Sequence, residues 1–114
     1  MIARKIDLSN YSLGHVTLED KTHPMYEVRQ SLAALCFVTE LRLNGVALLE
    51  MHRLAQSILD APGEHVLLSE PDWQRLRRAI EVHEGFTRNE VELVCRVHTA
   101  ASIEVEEVKQ EKQT

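Results

Sequence analysis

Apolar and polar residues change their rhythm along this chain. Near the N-terminus they alternate: Ile6 and Leu8 flank Asp7, Val16 and Leu18 flank Thr17, and the stretch SNYSLGH between them carries Asn, Ser and Gly. A period of two puts one set of side chains on one face of a strand, so residues 2–18 read as a β-hairpin. Such a ribbon is marginal alone and must lay its apolar face on other elements.

From residue 20 the period lengthens. Met25, Val28, Leu32, Leu35 and Cys36 recur at helical spacing behind Asp20 or Thr22 as N-cap and Pro24, whose missing N–H is tolerated in a first turn. The first helix is predicted to end at Asn44-Gly45, a pair suited to a left-handed stop. A second is expected over 46–60, with Leu48, Met51, Ala55, Ile58 and Leu59 on its inner side and "DAPG" ending it. The short apolar run EHVLLS reads as either a third strand near residues 64–68 or a buried lead-in to the next helix.

Ser69 suits the N-cap of a third helix, with Pro71 and Asp72 in its first turn and Trp73, Leu76, Ile80 and His83 spaced along its inner side. Gly85 closes it. Thr87 and Glu90 have the spacing of a capping box for a fourth helix, whose inner stripe reads Val91, Val94, Val97 or His98, and Ala101. Beyond Ile103 the charged EVEEVKQEKQT either prolongs that helix or stays disordered. The expected class is α+β, mainly α: an N-terminal hairpin packed on about four helices. One compact domain is expected over residues 1–103, with a charged tail over 104–114.

Composition narrows this picture. The chain has 114 residues, 44% of them hydrophobic, enough for a single core. With 4% aromatic content, aliphatic side chains must fill that core, which favours helical layers over a β-sandwich. No apolar run approaches the roughly 20 residues of a bilayer span, and MIARKIDLSN lacks the apolar centre of a signal peptide. A reducing, cytoplasmic setting with no membrane association is therefore expected. Cys36 and Cys95 both sit in apolar helical patterns and read as small hydrophobes.

Charge separates the candidate chemistries. The last two helices could be a DNA-reading pair, presenting Thr87, Arg88, Asn89, Glu92 and Arg96 to base edges. Yet 18 acidic residues against 13 basic give a net charge of −5, which opposes binding to phosphate. Arginine outnumbers lysine nine to four, and its planar fork suits protein interfaces. Arg75, Arg77, Arg78, Arg88 and Arg96 are accordingly the candidate partner-binding residues, against the plainer alternative of helix-surface pairs such as Arg77 with Glu81. Cys95 and His98 share a helical face, with His83 or His52 as a further ligand only if the fold brings it near, and two ligands do not make a zinc site. No metal or cofactor is expected. Glu50 and Glu90 near histidines are too common in so acidic a chain to indicate acid–base catalysis, and no phosphate loop, nucleophile elbow or metalloprotease motif is present.

The pieces KIDLSNYSL, VRQSLAAL, LLEMHRLAQSILDA, VLLSEPDWQRLRRAIE and GFTRNEVELVCRV, in that order, resemble the general run of a loose group of small tailed-bacteriophage and prophage proteins. The resemblance is one of apolar spacing and caps and brings no active-site residues. It implies an accessory protein of a phage, found in the host cytoplasm or the virion, that serves particle assembly or binds and disables a host protein. The residues themselves point to a non-enzymatic protein-binding module. Self-association is expected from an exposed ribbon edge and from apolar residues beyond a single stripe: Phe37, Val38, Val82 and Leu93.

Overall fold

In the computed structural model, residues 2–12 and 25–104 are described. The class is α+β and mainly α. Strand β1 (Ile2–Asp7) is followed by a short antiparallel pair, β2 (Tyr11–Ser12) and β3 (Met25–Tyr26). Next come α1 (Val28–Leu35), a 3-10 turn (Thr39–Leu41), α2 (Gly45–Asp60), β4 (His65–Ser69) and α3 (Glu70–Val82). A second 3-10 turn (Arg88–Glu90) leads into α4 (Val91–His98), and β5 (Ala101–Glu104) ends the described chain.

The third strand is present, and it organises the sheet. The strand order is β4-β1-β5, antiparallel throughout, with Ile6 opposite Val66 and Ala3 opposite Ser69 on one side and Ile103 on the other. Both edges of β1 are thus occupied over residues 3–5 by strands more than 60 positions away. The second arm expected at Val16–Leu18 lies outside the described residues. So do the caps Asp20, Thr22 and Pro24 and the tail beyond 104. The end of the domain is a strand rather than a continuation of α4, and Ala101, expected in the helical stripe, is exposed in β5.

The core joins one sheet face to four helices. Ile6, Leu8, Val66 and Leu68 pack with Val28, Leu32, Leu54, Ile58, Leu76, Leu93 and Val97, all buried. Leu67, between the two buried residues of β4, alternates outward and is half exposed.

Two boundaries of α1 and the buried stripe of α2 differ from the sequence reading. α1 begins at Val28, whose N–H donates to Asn10 Oδ1 at 3.0 Å, while Tyr11 and Tyr26 stack at 5.1 Å to hold Met25-Tyr26 in a strand pair. It stops at Leu35, where the amides of Cys36, Phe37 and Val38 donate to the carbonyls three residues back and tighten the last turn, and Asn44 does not end it. Its side chain accepts from the Ala47 N–H at 2.8 Å and caps the start of α2, and the left-handed position falls on Arg42 at φ 52°. On α2 the buried stripe is Met51, Leu54, Ala55 and Ile58, leaving Leu48 and Leu59 at the margin, 45% and 39% exposed.

Both expected capping groups form, but the second closes the 3-10 turn that leads into α4; at the start of α4 itself Glu90 makes no side-chain cap. Ser69 Oγ accepts from Asp72 N–H, and Thr87 and Glu90 form a complete capping box. Gly85, at φ 99°, makes the turn between α3 and α4 in the left-handed region that a β-carbon disfavours.

Candidate functional site

The five arginines singled out from the sequence do not form one cluster. Arg75 and Arg78 meet Arg42 and Leu43 in an open groove of about 250 Å³ against Ala47 and Glu50, at the first turns of α2. Arg75 is itself paired, at 2.7 Å to Asp72 and 3.7 Å to Glu50. Arg78 is exposed and, among the described residues, has no acidic partner. Arg77 lies over the Trp73 ring at 5.4 Å; its Nε is 3.1 Å from Glu81 Oε2 but buried and out of line for a hydrogen bond.

Arg96 plays an internal part. It donates to the carbonyls of Asp7 (3.1 Å) and Ser9 (2.7 Å), pairs with Glu92 at 2.9 Å and sits over the Tyr11 ring. This ties α4 to the end of β1 and takes Arg96 away from any reading of base edges. Burial raises the Asp7 carboxyl, but the Ser9 amide and hydroxyl, with Arg96 and His65, outweigh it and hold that carboxyl below its usual value. Arg88, in the turn before α4, is exposed.

Two arginines that sequence reasoning passed over bind the fold instead. Arg4 grips Glu70 through two bonds of 3.0 and 3.2 Å, donates to Ala100 O at 3.0 Å and covers the Trp73 ring at 3.9 Å. Trp73 Nε1 donates in turn to Val97 O at 2.8 Å. Arg29 donates to the carbonyls of Ile58, Leu59, Ala61 and Gly63, filling the orphan acceptors at the end of α2 with a favourable charge. Their partners are 29 to 96 positions away, so no local pattern marks them.

A groove of about 440 Å³ runs between α1 and the α3–α4 turn, lined by Tyr26, Leu35, Val38, His83, Phe86 and Glu90. His83 stands edge-on to Phe86 at 4.9 Å, with Nδ1 3.3 Å from Glu40 Oε1, and Glu84 N–H donates to Glu40 Oε2. Its own amide, that of Glu84 and the His83 ring keep the Glu40 carboxyl below its ordinary value. Glu90 is held by the Thr87 amide and hydroxyl at 2.7 and 2.8 Å, and Glu50 faces Arg75, so neither is a free base.

Among the described residues no group of three or more His, Cys, Asp or Glu is placed to hold a metal ion. His98 Nδ1 lies 3.3 Å from Val94 O, and Cys95 is exposed rather than buried as its pattern suggested. Cys36 is buried, contacts Leu32 O at 3.6 Å, and burial pushes its thiol up to about 12.

Exposed apolar side chains occur singly on the strands, at Ile2, Met25 and Leu67, and on two of the helices. On α2, Val46 and Leu49 are 71% and 69% exposed, with Leu48 nearby and Phe37 beside His52. On α4, Val91 is 65% exposed, whereas Leu93, expected to be surplus surface, is fully buried. Val38 and Val82 are half-buried. No helix among the described residues is long and apolar enough to cross a membrane.

Comparison with known proteins finds no matching family model, no similar curated protein and no similar solved structure.

Proposed function

We propose that this chain is a non-enzymatic, self-associating protein-binding module of phage type, acting in virion assembly, and that it docks its partner at the first turns of α2. The observation that carries the reading is one corner of the surface. The turns of α2 that expose Val46 and Leu49 also supply Ala47 and Glu50 to the groove holding Arg42, Arg75 and Arg78. Large apolar side chains left in water beside Arg78, exposed and without an acidic partner among the described residues, suit a partner that brings apolar residues ringed by carboxylates.

The test is a tagged full-length chain produced during infection, compared with a Leu49→Glu variant that retains its helical circular dichroism. Recovery of the chain in gradient-purified particles, lost on Leu49→Glu, is the expected result. Stoichiometric capture of one host protein, equally sensitive to Leu49→Glu, would reassign the module to inhibition of a host factor. Retention of every wild-type partner by the variant would remove the α2 corner as the docking site.

A further inference from the structure

The fourth helix carries two apolar stripes, and the fold uses only one. Leu93 and Val97 enter the core. Val91, Val94, Cys95 and His98 follow the i, i+3, i+4, i+7 spacing of an amphipathic helix, yet Val91, Cys95 and His98 are exposed and Val94 is half-buried. Beside this outer stripe lies an open groove of about 430 Å³, its wall almost wholly apolar, formed by Phe86, Thr87, Glu90, Val91, Val94 and Cys95. A helix that is apolar on its outer side has a surface that water does not favour.

We infer that α4 pairs with α4 of a second copy of this chain, antiparallel about a two-fold axis passing between Val94 and Cys95. Charge complementarity selects this occupant. Arg88 precedes α4 at one end and has no acidic partner among the described residues, while Glu81, half exposed, lies by His98 at the other end, 3.9 Å from its Nε2. An antiparallel pair brings the Arg88 of each copy to the Glu81 end of its mate, as an isologous interface requires. It also sets Val91 of one copy against His98 of the other and places the two Cys95 thiols near the axis. The helix has eight residues, about 12 Å of length, and offers less than the roughly 800 Å² per partner of a stable interface. The association is therefore weak and concentration-dependent.

The pairing rests on the reading of the chain as a self-associating module, but it uses α4 and not the α2 corner, so each can fail alone. Sedimentation equilibrium of the full-length protein over a dilution series is expected to show a monomer–dimer equilibrium. Val91→Glu, which places a charge in the apolar stripe, should raise the dissociation constant about tenfold or more while leaving the circular dichroism unchanged. Leu49→Glu should leave dimerisation as it is. A short bismaleimide should link dimers through Cys95, a product lost on Cys95→Ser and kept on Cys36→Ser. A strict monomer at the highest concentration overturns the inference, as does a dimer indifferent to Val91→Glu. Loss of the dimer on Leu49→Glu instead would move self-association to the α2 corner and leave α4 unpaired.

Discussion

Helices α3 and α4 lie next to each other, α3 capped directly by the Ser69 hydroxyl and α4 entered through a 3-10 turn capped by Thr87, and their sequences constrain them to different degrees. α3 is apolar on one side and charged on the other. Trp73, Leu76, Ala79 and Ile80 are buried, and Arg75, Arg77, Arg78 and Glu81 occupy the remainder. Only one rotation of that helix about its axis avoids burying charge, so its inner face could be read directly. α4 offers Val91 and Val94 on one side and Leu93 and Val97 on the other, and either face satisfies the hydrophobic effect. The choice was made by neighbours: Trp73 takes the Val97 carbonyl and Arg96 takes the carbonyls of Asp7 and Ser9, which turns Leu93 inward and Val91 out. A helix with two apolar sides thus has its orientation set by polar anchors, not by its own pattern.

The sharpest way to break this contrast is truncation at matched positions. Leu76→Ala and Leu93→Ala remove fully buried side chains and should each cost about 2–5 kcal/mol by urea unfolding, whereas Val91→Ala at low protein concentration should stay within about 0.5 kcal/mol. If Val91→Ala proves as costly as Leu93→Ala, the two faces of α4 have been assigned the wrong way round.

Next in size is the clamp that fixes α3 against the sheet. Arg4→Ala removes a two-pronged pair with Glu70, a bond to Ala100 O and the cover over Trp73. Loss of charge-assisted bonds in a part-buried site should cost about 2 kcal/mol, read as a lower urea midpoint at unchanged slope. A change below a few tenths would mean that α3 is held by its apolar stripe alone.

The caps should be the point of equality. Ser69→Ala and Thr87→Ala should each cost about 1 kcal/mol, measured by thermal unfolding. A Thr87 effect far below that of Ser69 would show that the 3-10 entry to α4 contributes little to its stability, and would sharpen the difference between the helices.

The smallest effect concerns pH. The Arg4 side-chain bond is the main cause of a Glu70 carboxyl lowered from its ordinary 4.5. A carboxyl depressed in the folded state adds stability that is present above the unfolded value and lost as pH falls through the folded one. Glu70→Gln should therefore flatten the loss of stability from about pH 5 downward and leave its slope near neutrality unchanged. An identical acid limb in both proteins would show that the pair adds nothing to stability.

Local chemistry made much of the fold legible. The Ser69 cap, the Thr87–Glu90 box, the limits of α2 and the buried Trp73, Leu76 and Ile80 of α3 follow from short-range rules of capping and periodicity, because the responsible atoms are neighbours in the chain, whereas the run near residue 65 became a strand only by pairing with β1. The expectation of a left-handed stop at Asn44-Gly45 shows where such rules are ambiguous. Asn serves both as a helix end and as an N-cap, and the geometry that chose the second, with the Asn44 side chain accepting from Ala47, is visible only after α2 has formed. The candidate site was half legible. Arg75 and Arg78 share a helix face by spacing, but their meeting with Arg42 and the exposure of Val46 and Leu49 depend on where α2 packs.

The order of residues was sufficient to specify a small mixed fold dominated by helices, because apolar spacing and capping groups act within a few positions. It could not specify that β1 would lie between β4 and β5, that Arg4 and Arg29 would close contacts with residues far along the chain, or which side of α4 would meet water. Those outcomes depend on polar groups finding partners across long loops, where the free energy belongs to the assembled neighbourhood and not to any segment within it.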